Sequence, residues 1–477
     1  MPVILGQVAA GRTPDPPEIG VTVAGPGGAT LPRVPSAASP STAPQGTTRE
    51  LLTLAGPLML SNLAYTVVGF TDTLLMGRLG VVEVGAVGFA HLCLLTLVLL
   101  FRGSLNTAAT FVARALGAGD EAGVRRWASV FLGCGLVGVP LALMGPWLLD
   151  GLFTLLRPDP SVTAVARTYL HIRVWEVPAL LLGGAAISVM VGLGNTRTPM
   201  RLAWLVMGVN AALAVLFIFG FGWGVAGAAW ASVIAVTLQN GLAVWLLGRL
   251  HGPRFGRFWP ARPTRAELGS LGRVSLPAGV TELAEVSAFT VFQGVISRLG
   301  PTELAASQIA NQLASLGFLP AFALSSATGS LLSRALGAGR ADIAARIGWR
   351  GTGLAAAFMG VLGLLFLALP ETLIGLFNRS PEVLALGTGV LAVMAAYQIL
   401  DGVAIVLGGA LGGAGDTRFR LIVTLVGAWL VMVLGATLLA PRYGVTGAWA
   451  AALVFIAFAA VAYALRFASG RWVRARL

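Results

Sequence analysis

The chain has 477 residues, 56% of them hydrophobic and 11% charged, with a mean hydropathy of +0.84. A soluble domain is about 25% charged, so this composition excludes an ordinary globular protein and points to a polytopic membrane protein. The formal charge of +13 is carried by arginine without any lysine, which excludes a P-loop, whose lysine must reach the phosphates.

Residues 1–47 are rich in Pro, Gly, Ala, Ser and Thr and lack a charged-then-apolar leader, so they read as a disordered cytoplasmic tail. Twelve apolar runs follow, each near the roughly 20 residues needed to cross a hydrocarbon core. Six lie at about 51–76, 84–108, 127–148, 168–191, 200–221 and 225–247 and make an N-terminal lobe over 48–248. The segment 249–270 holds Pro253, Pro260 and Pro263 among arginines and reads as a cytoplasmic linker. Six more runs, at about 271–296, 304–332, 349–369, 386–411, 419–439 and 446–466, make a C-terminal lobe over 271–468. Residues 469–477 form a basic cytoplasmic tail. The expected fold is all-α, with twelve transmembrane helices in two six-helix bundles.

Arginines concentrate after even-numbered spans, as at Arg125, Arg126, Arg197, Arg201, Arg254 and Arg346. Connections after odd-numbered spans carry few, chiefly Arg78, Arg157, Arg298, Arg379 and Arg442. The positive-inside rule then puts both termini and the linker in the cytoplasm of a chain that crosses the cell's inner membrane many times. The basic charge reports topology, and no nucleic-acid partner is expected.

The chain is also written twice. Arg78-Leu79-Gly80 recurs as Arg298-Leu299-Gly300, Arg114 through Gly119 recurs unchanged as Arg334 through Gly339, and Pro57 recurs as Pro277. Gly224-Val225-Ala226-Gly227 returns as Gly444-Val445-Thr446-Gly447. All share a displacement of 220 residues. Six spans per copy is an even number, so the copies are parallel and related about an axis along the membrane normal, an arrangement typical of transporters.

Enzymatic chemistry finds no support. His91, His171 and His251 are scattered without metal-ligand spacing, and Cys93 and Cys134 both lie in apolar spans. No cofactor is expected. The energy source left is an ion gradient.

Acidic residues inside the spans are few and costly, each about 2.5–3.5 kcal/mol at a helix centre. Asp72, near the outer end of span 1, lies on a polar stripe with Ser61, Asn62, Tyr65 and Gly69. Glu282 and Glu285 share a face of span 7, and Asp401 follows Tyr397 and Gln398 in span 10. The plainer roles are an interfacial position for Asp72 and, for Asp401, an ion pair with Arg102 or Arg173. Arg173 and Glu176, three residues apart, are expected to pair with each other. Gln308, Asn311 and Gln312 in span 8 either line a polar path or bond neighbouring helices. None of the acids is duplicated: Glu282 maps onto Asn62, Glu285 onto Tyr65, Asp72 onto Phe292 and Asp401 onto Leu181. The copies share a scaffold and differ in chemistry.

Pro57 with Asn62 and Asp72-Thr73, the Gly-Ala-Gly turns at 117–119 and 337–339, Tyr397-Gln398-x-x-Asp401, and Gly413-Ala414-Gly415-Asp416-Thr417-Arg418 follow one another in this order. Together, from about residue 50 to the end, they resemble the multidrug and toxic compound extrusion (MATE) family of secondary transporters. The resemblance implies two bundles in a V and efflux of cationic or amphipathic compounds in exchange for H⁺ or Na⁺. It implies that Asp72, Glu285 and Asp401 are the working acids, with a sodium ion, if used, at Glu285 or Asp401. Asn210 matches a span-5 asparagine whose usual aspartate partner is here Ala214, and Gly412 stands where an arginine is usual. Pro57 and Gly69 are candidate hinges of span 1. The expected partners are a small cationic or amphipathic substrate and the lipid bilayer, with the protein a monomer. The alternative is a flippase for a lipid-linked saccharide, which would need arginines such as Arg102 and Arg173 lining the cavity.

Overall fold

The computed structural model describes residues 44–156 and 160–475, so most of the expected N-terminal tail lies outside the described residues. Among the described residues every regular element is helical. The helices are α1 (Thr48–Gly77), α2 (Gly85–Gly117), α3 (Glu121–Gly151), α4 (Val162–Gly192), α5 (Arg197–Gly220) and α6 (Gly224–Phe255) in one half. The other half holds α7 (Arg265–Ser297), α8 (Pro301–Gly337), α9 (Ala341–Ala368) and α10 (Pro381–Ala414), then the stretch Thr417–Ala468.

By length and hydropathy nine of the described helices are able to cross a membrane, ten with α8. Two features account for twelve. The 52-residue stretch Thr417–Ala468 is broken at Gly444 (φ 61°), the repeat equivalent of Gly224 (φ 55°), which separates α5 from α6. A positive φ favours glycine at both places, and the stretch is two helices, α11 (417–443) and α12 (445–468). The other is α7, 33 residues long, whose mean hydropathy is lowered by Glu282 and Glu285. α8 bends by 43° between Ser315 and Gly317, where Pro320 leaves the carbonyl one turn earlier without a helical donor.

α1 and α7 begin alike. Each opens on a capping box, Thr47 with Glu50 and Thr264 with Glu267. One turn past the prolines, Ser61 Oγ donates to the Pro57 carbonyl (3.0 Å) and Thr281 Oγ1 to the Pro277 carbonyl (2.7 Å). α1 runs unbroken through Pro57 and Gly69. The linker expected over 249–270 is shorter: α6 continues through Pro253 to Phe255, and the capping box carries α7 back to Arg265, leaving 256–264 non-helical.

Each half has its own core, and each first helix starts in the core of the other half. Leu51 and Leu54 pack with Leu331, Leu332 and Ala335 of α8, while their repeat equivalents Leu271 and Val274 pack with the N-terminal core. The halves therefore meet through α1 against α8 and α2 against α7. On this seam an ideal Cβ at Gly117 would lie 1.9 Å from the Arg334 carbonyl oxygen, and one at Gly337 would lie 2.0 Å from that of Arg114. Ser333 Oγ donates to the Thr110 carbonyl (2.7 Å), the Thr107 and Ser275 hydroxyls are 2.7 Å apart, and Arg114 Nη2 donates to the Ala414 carbonyl (2.8 Å). These contacts use the starts of α1 and α7 and the ends of α2, α8 and α10, so they join the lobes at one end.

The segments that lead into α1 and α7 reinforce that end. Arg350 Nη1 donates to the Gly46 carbonyl (2.6 Å), the Ala261 N–H donates to the Ser129 carbonyl (2.9 Å), and Arg126 holds both Glu267 oxygens (2.7 and 2.8 Å). Glu267 lies before the apolar stretch of α7. The hydrogen bond from Arg126, with others from Thr264, lowers its carboxyl from 4.5 to about 2.

Gly117→Ala and Gly337→Ala are each expected to cost about 1–3 kcal/mol through overpacking, seen as earlier melting of the detergent-solubilised protein. Gly69→Ala, where an added Cβ meets nothing within 4 Å, is the control, and equal melting of all three would contradict this packing. A depressed carboxyl adds stability that is complete above about 4.5 and is lost as pH falls through about 2. The melting difference between the native chain and Glu267→Gln is accordingly expected to shrink over that window, and a difference independent of pH would disprove the assignment.

Candidate functional site

In the N-terminal lobe the stripe on α1 is met by polar groups from other helices. Asn62 Nδ2 donates to the Leu319 carbonyl of α8 (3.3 Å), and Gln239 of α6 donates its amide to the Tyr65 hydroxyl. Asp72 lies within electrostatic reach of Arg173 and Glu176. Those two form the expected pair: Arg173 Nη2 donates to Glu176 Oε1 at 2.6 Å, and Nη1 donates to the Tyr169 hydroxyl at 2.7 Å. Both are buried, where α4 tightens to a 3₁₀ turn over Val174–Glu176. Asn210 is buried and donates to Ser232 Oγ of α6 (3.2 Å), tying α5 to α6.

The C-terminal lobe arranges its acids differently. Glu282 crosses the seam and pairs with Arg102 Nη2 at 2.7 Å. Glu285, one turn on, accepts from Thr424 Oγ1 (3.2 Å) and lies 3.6 Å from Arg420 Nη2, both groups from α11. Asp401 of α10 interacts electrostatically with Glu285 and with Tyr397, yet among the described residues it accepts no hydrogen bond and pairs with no arginine. Beside it Tyr397 and Gln398 are buried, and neither amide atom of Gln398 finds a hydrogen-bond partner among the described residues. On α8, Gln308 and Gln312 are exposed and four residues apart, so they share one face, with Asn311 partly covered next to it.

Two expectations change. The static ion pair weighed for Asp401 does not form, because Arg102 is taken by Glu282 and Arg173 by Glu176. For the same reason the saccharide-flippase reading is not favoured, since Arg102 and Arg173, the arginines it would need to hold an anionic cargo, are already paired with carboxylates. The repeat equivalents of the acids are plain core: Phe292, matching Asp72, and Leu181, matching Asp401, are both buried.

Sequence reasoning missed Gln239, Thr424 and above all Arg420. In the sequence Arg420 reads as one more loop arginine that reports topology. In the fold its guanidinium lies along α10, 3.7 Å from an ideal Cβ on Gly408 and 3.8 Å from one on Gly412. It occupies the space over the glycine that replaces the arginine implied by the resemblance. Aligning Gly194-Asn195-Thr196-Arg197 with Gly415-Asp416-Thr417-Arg418 puts Pro199 opposite Arg420, so the first copy has no such cation.

Two stretches, residues 57–216 and 277–437, match the family model MatE. The chain is 31% identical over 436 residues to a probable multidrug resistance protein NorM of Rhizobium meliloti, covering 88% of this chain and 92% of that one. It is 33% identical over 417 residues to a probable NorM of Deinococcus radiodurans, covering 84% and 90%. Among solved structures, a multidrug resistance MATE family transporter of the MOP superfamily in an outward-facing conformation superposes with a TM-score of 0.81 at 19% identity, covering 89% of this chain and 96% of that one. The Vibrio cholerae MATE transporter VcmN superposes with a TM-score of 0.81 at 20% identity, covering 89% and 98%.

Glu176→Gln leaves Arg173 buried without its counter-charge and is expected to destabilise the protein by about 3–5 kcal/mol. Replacing both by Met is expected to recover most of that loss. Melting of the purified variants decides, and a double variant as unstable as the single one would argue against a purely structural pair.

Proposed function

The chain belongs to the MatE family, and on that premise we propose that it exports organic cations or amphipathic drugs by alternating access, in antiport with protons or sodium ions. The observation that carries this reading is the placement of Asp72, Glu285 and Asp401: unrepeated acids within the spans of both lobes, of which only Glu285 meets an arginine in an ion pair among the described residues. An uncompensated carboxylate in a membrane is costly and is retained where it binds something. A carboxylate in a partly dry cavity exchanges protons near neutral pH and attracts organic cations equally well.

The arginine distribution puts the chain termini, and with them the joined ends of α1, α2, α7 and α8, on the cytoplasmic side. The lobes then part toward the outside. Asn62, Tyr65, Gln308, Asn311 and Gln312 supply neutral polar groups to the path, and Asp72, Glu285 and Asp401 supply charge. A sodium ion, if it is the coupling ion, sits at Glu285 or Asp401 with Thr424 offering a neutral oxygen; a proton needs only the carboxylate. Competition between ion and substrate for the same acids makes transport an exchange, because occupancy by either biases the two states.

Ethidium extrusion from cells that carry Asp72→Asn, Glu285→Gln or Asp401→Asn is expected to fall by about tenfold in at least one variant, equivalent to about 1.4 kcal/mol. Full activity in all three would rule out the carboxylate mechanism. Efflux from proteoliposomes with proton and sodium gradients imposed separately identifies the coupling ion.

A further inference from the structure

The acids of the C-terminal lobe are not isolated. Arg102 of α2 pairs with Glu282 of α7 at 2.7 Å, and Arg420 of α11 lies 3.6 Å from Glu285 of the same helix face. Arg420 also interacts electrostatically with Glu282, and Glu285 with Asp401. Charges thus alternate from the lobe seam through Arg102, Glu282, Arg420 and Glu285, and the row ends on a second acid, Asp401 of α10. Three carboxylates against two arginines leave one net negative charge, which one monovalent cation neutralises. Within this row the pair between Arg102 and Glu282 spans the two lobes, as Arg126 with Glu267 does nearer the start of α7.

We propose that Arg420 is a resident counter-cation that an arriving cation displaces from Glu285, and that its shift onto Glu282 loosens the ion pair with Arg102 that helps hold the lobes together. The inference rests on the transport reading and adds a device to it. With the site empty, Arg420 stays on Glu285, Glu282 stays free for Arg102, and the seam is held. With a cation between Glu285 and Asp401, Arg420 is repelled and turns to the next carboxylate, three residues back on the same helix face. Glu282 then divides its charge between two arginines, and attraction across the seam weakens. An empty carrier is held and a loaded one released, which is the condition for exchange without leak. The repeat-related position has no equivalent, since Glu282 maps onto Asn62 and Arg102 onto Phe322; the device belongs to one side of the seam.

The test uses the full chain in lipid nanodiscs with Cys93 and Cys134 replaced by alanine. Thr107→Cys and Ser275→Cys, whose native hydroxyls are 2.7 Å apart across the seam, report closure as disulfide cross-linking, and tetraphenylphosphonium is the probe cation. In the otherwise native protein the probe is expected to lower cross-linking by about twofold or more. In Arg420→Gln the probe is expected to bind about tenfold tighter, because the competitor is gone, while cross-linking no longer responds. Arg420→Lys is expected to restore the response. Glu282→Gln, which removes the landing point, is expected to cross-link weakly with or without probe. A native response or native affinity in Arg420→Gln overturns the proposal. Failure of the probe to bind the native protein overturns the exporter reading together with it.

Discussion

The closest constraint in this protein is the approach of two backbones across the seam between the lobes. At Gly117 and Gly337 the opposing carbonyls lie where a side chain would begin, so the contact exists only because both copies carry glycine there. Helices in lipid gain little from burying apolar surface against one another, and close approach of small residues supplies dispersion and backbone contacts instead. Everything else on the seam is arranged around that approach. The starts of α1 and α7 enter the opposite cores, and the capped segments before them bind α9 and α3. Joining the lobes at one end leaves their other halves free to part, which is the geometry a rocking transporter requires.

On this symmetric frame the charges are asymmetric. Arg173 and Glu176 neutralise each other inside one lobe, while Arg102 and Glu282 do so across the seam. Glu285 is partly neutralised by Arg420, and Asp401 pairs with no cation among the described residues. Low polarity around a span makes such distinctions matter, because an unpaired charge there is expensive and a paired one is quiet. Where the second copy would repeat Asp72, and where the first would have anticipated Asp401, the residues are Phe292 and Leu181, both sealed in apolar packing. Duplication preserved the packing and left the chemistry free to diverge.

Much of this was legible in the chain itself. Hydropathy marked the spans because backbone groups in lipid must bond within their own helix, and the 220-residue displacement marked the two lobes. The motif from Arg114 to Gly119 and its copy mark the seam, although nothing in a string of letters says that the two copies touch each other. Prolines and arginines over 249–270 suggest a break, whereas Pro253 stays inside α6 and Thr264 with Glu267 forms a cap that starts α7 at Arg265.

Sequence alone determined which residues are chemically unusual: a carboxylate within an apolar run is conspicuous wherever it folds, because its solvation cost is local. Tertiary structure decided what each of them meets. Arg102, a possible partner of Asp401 by sequence, meets Glu282 because α2 lies on α7, and Arg420, a topology signal by sequence, meets Glu285 because α11 turns it there. Pairing depends on distances of a few ångström between helices far apart in the chain, here 180 residues for Arg102 and Glu282. Coulomb attraction falls with distance in space and takes no account of separation along the chain.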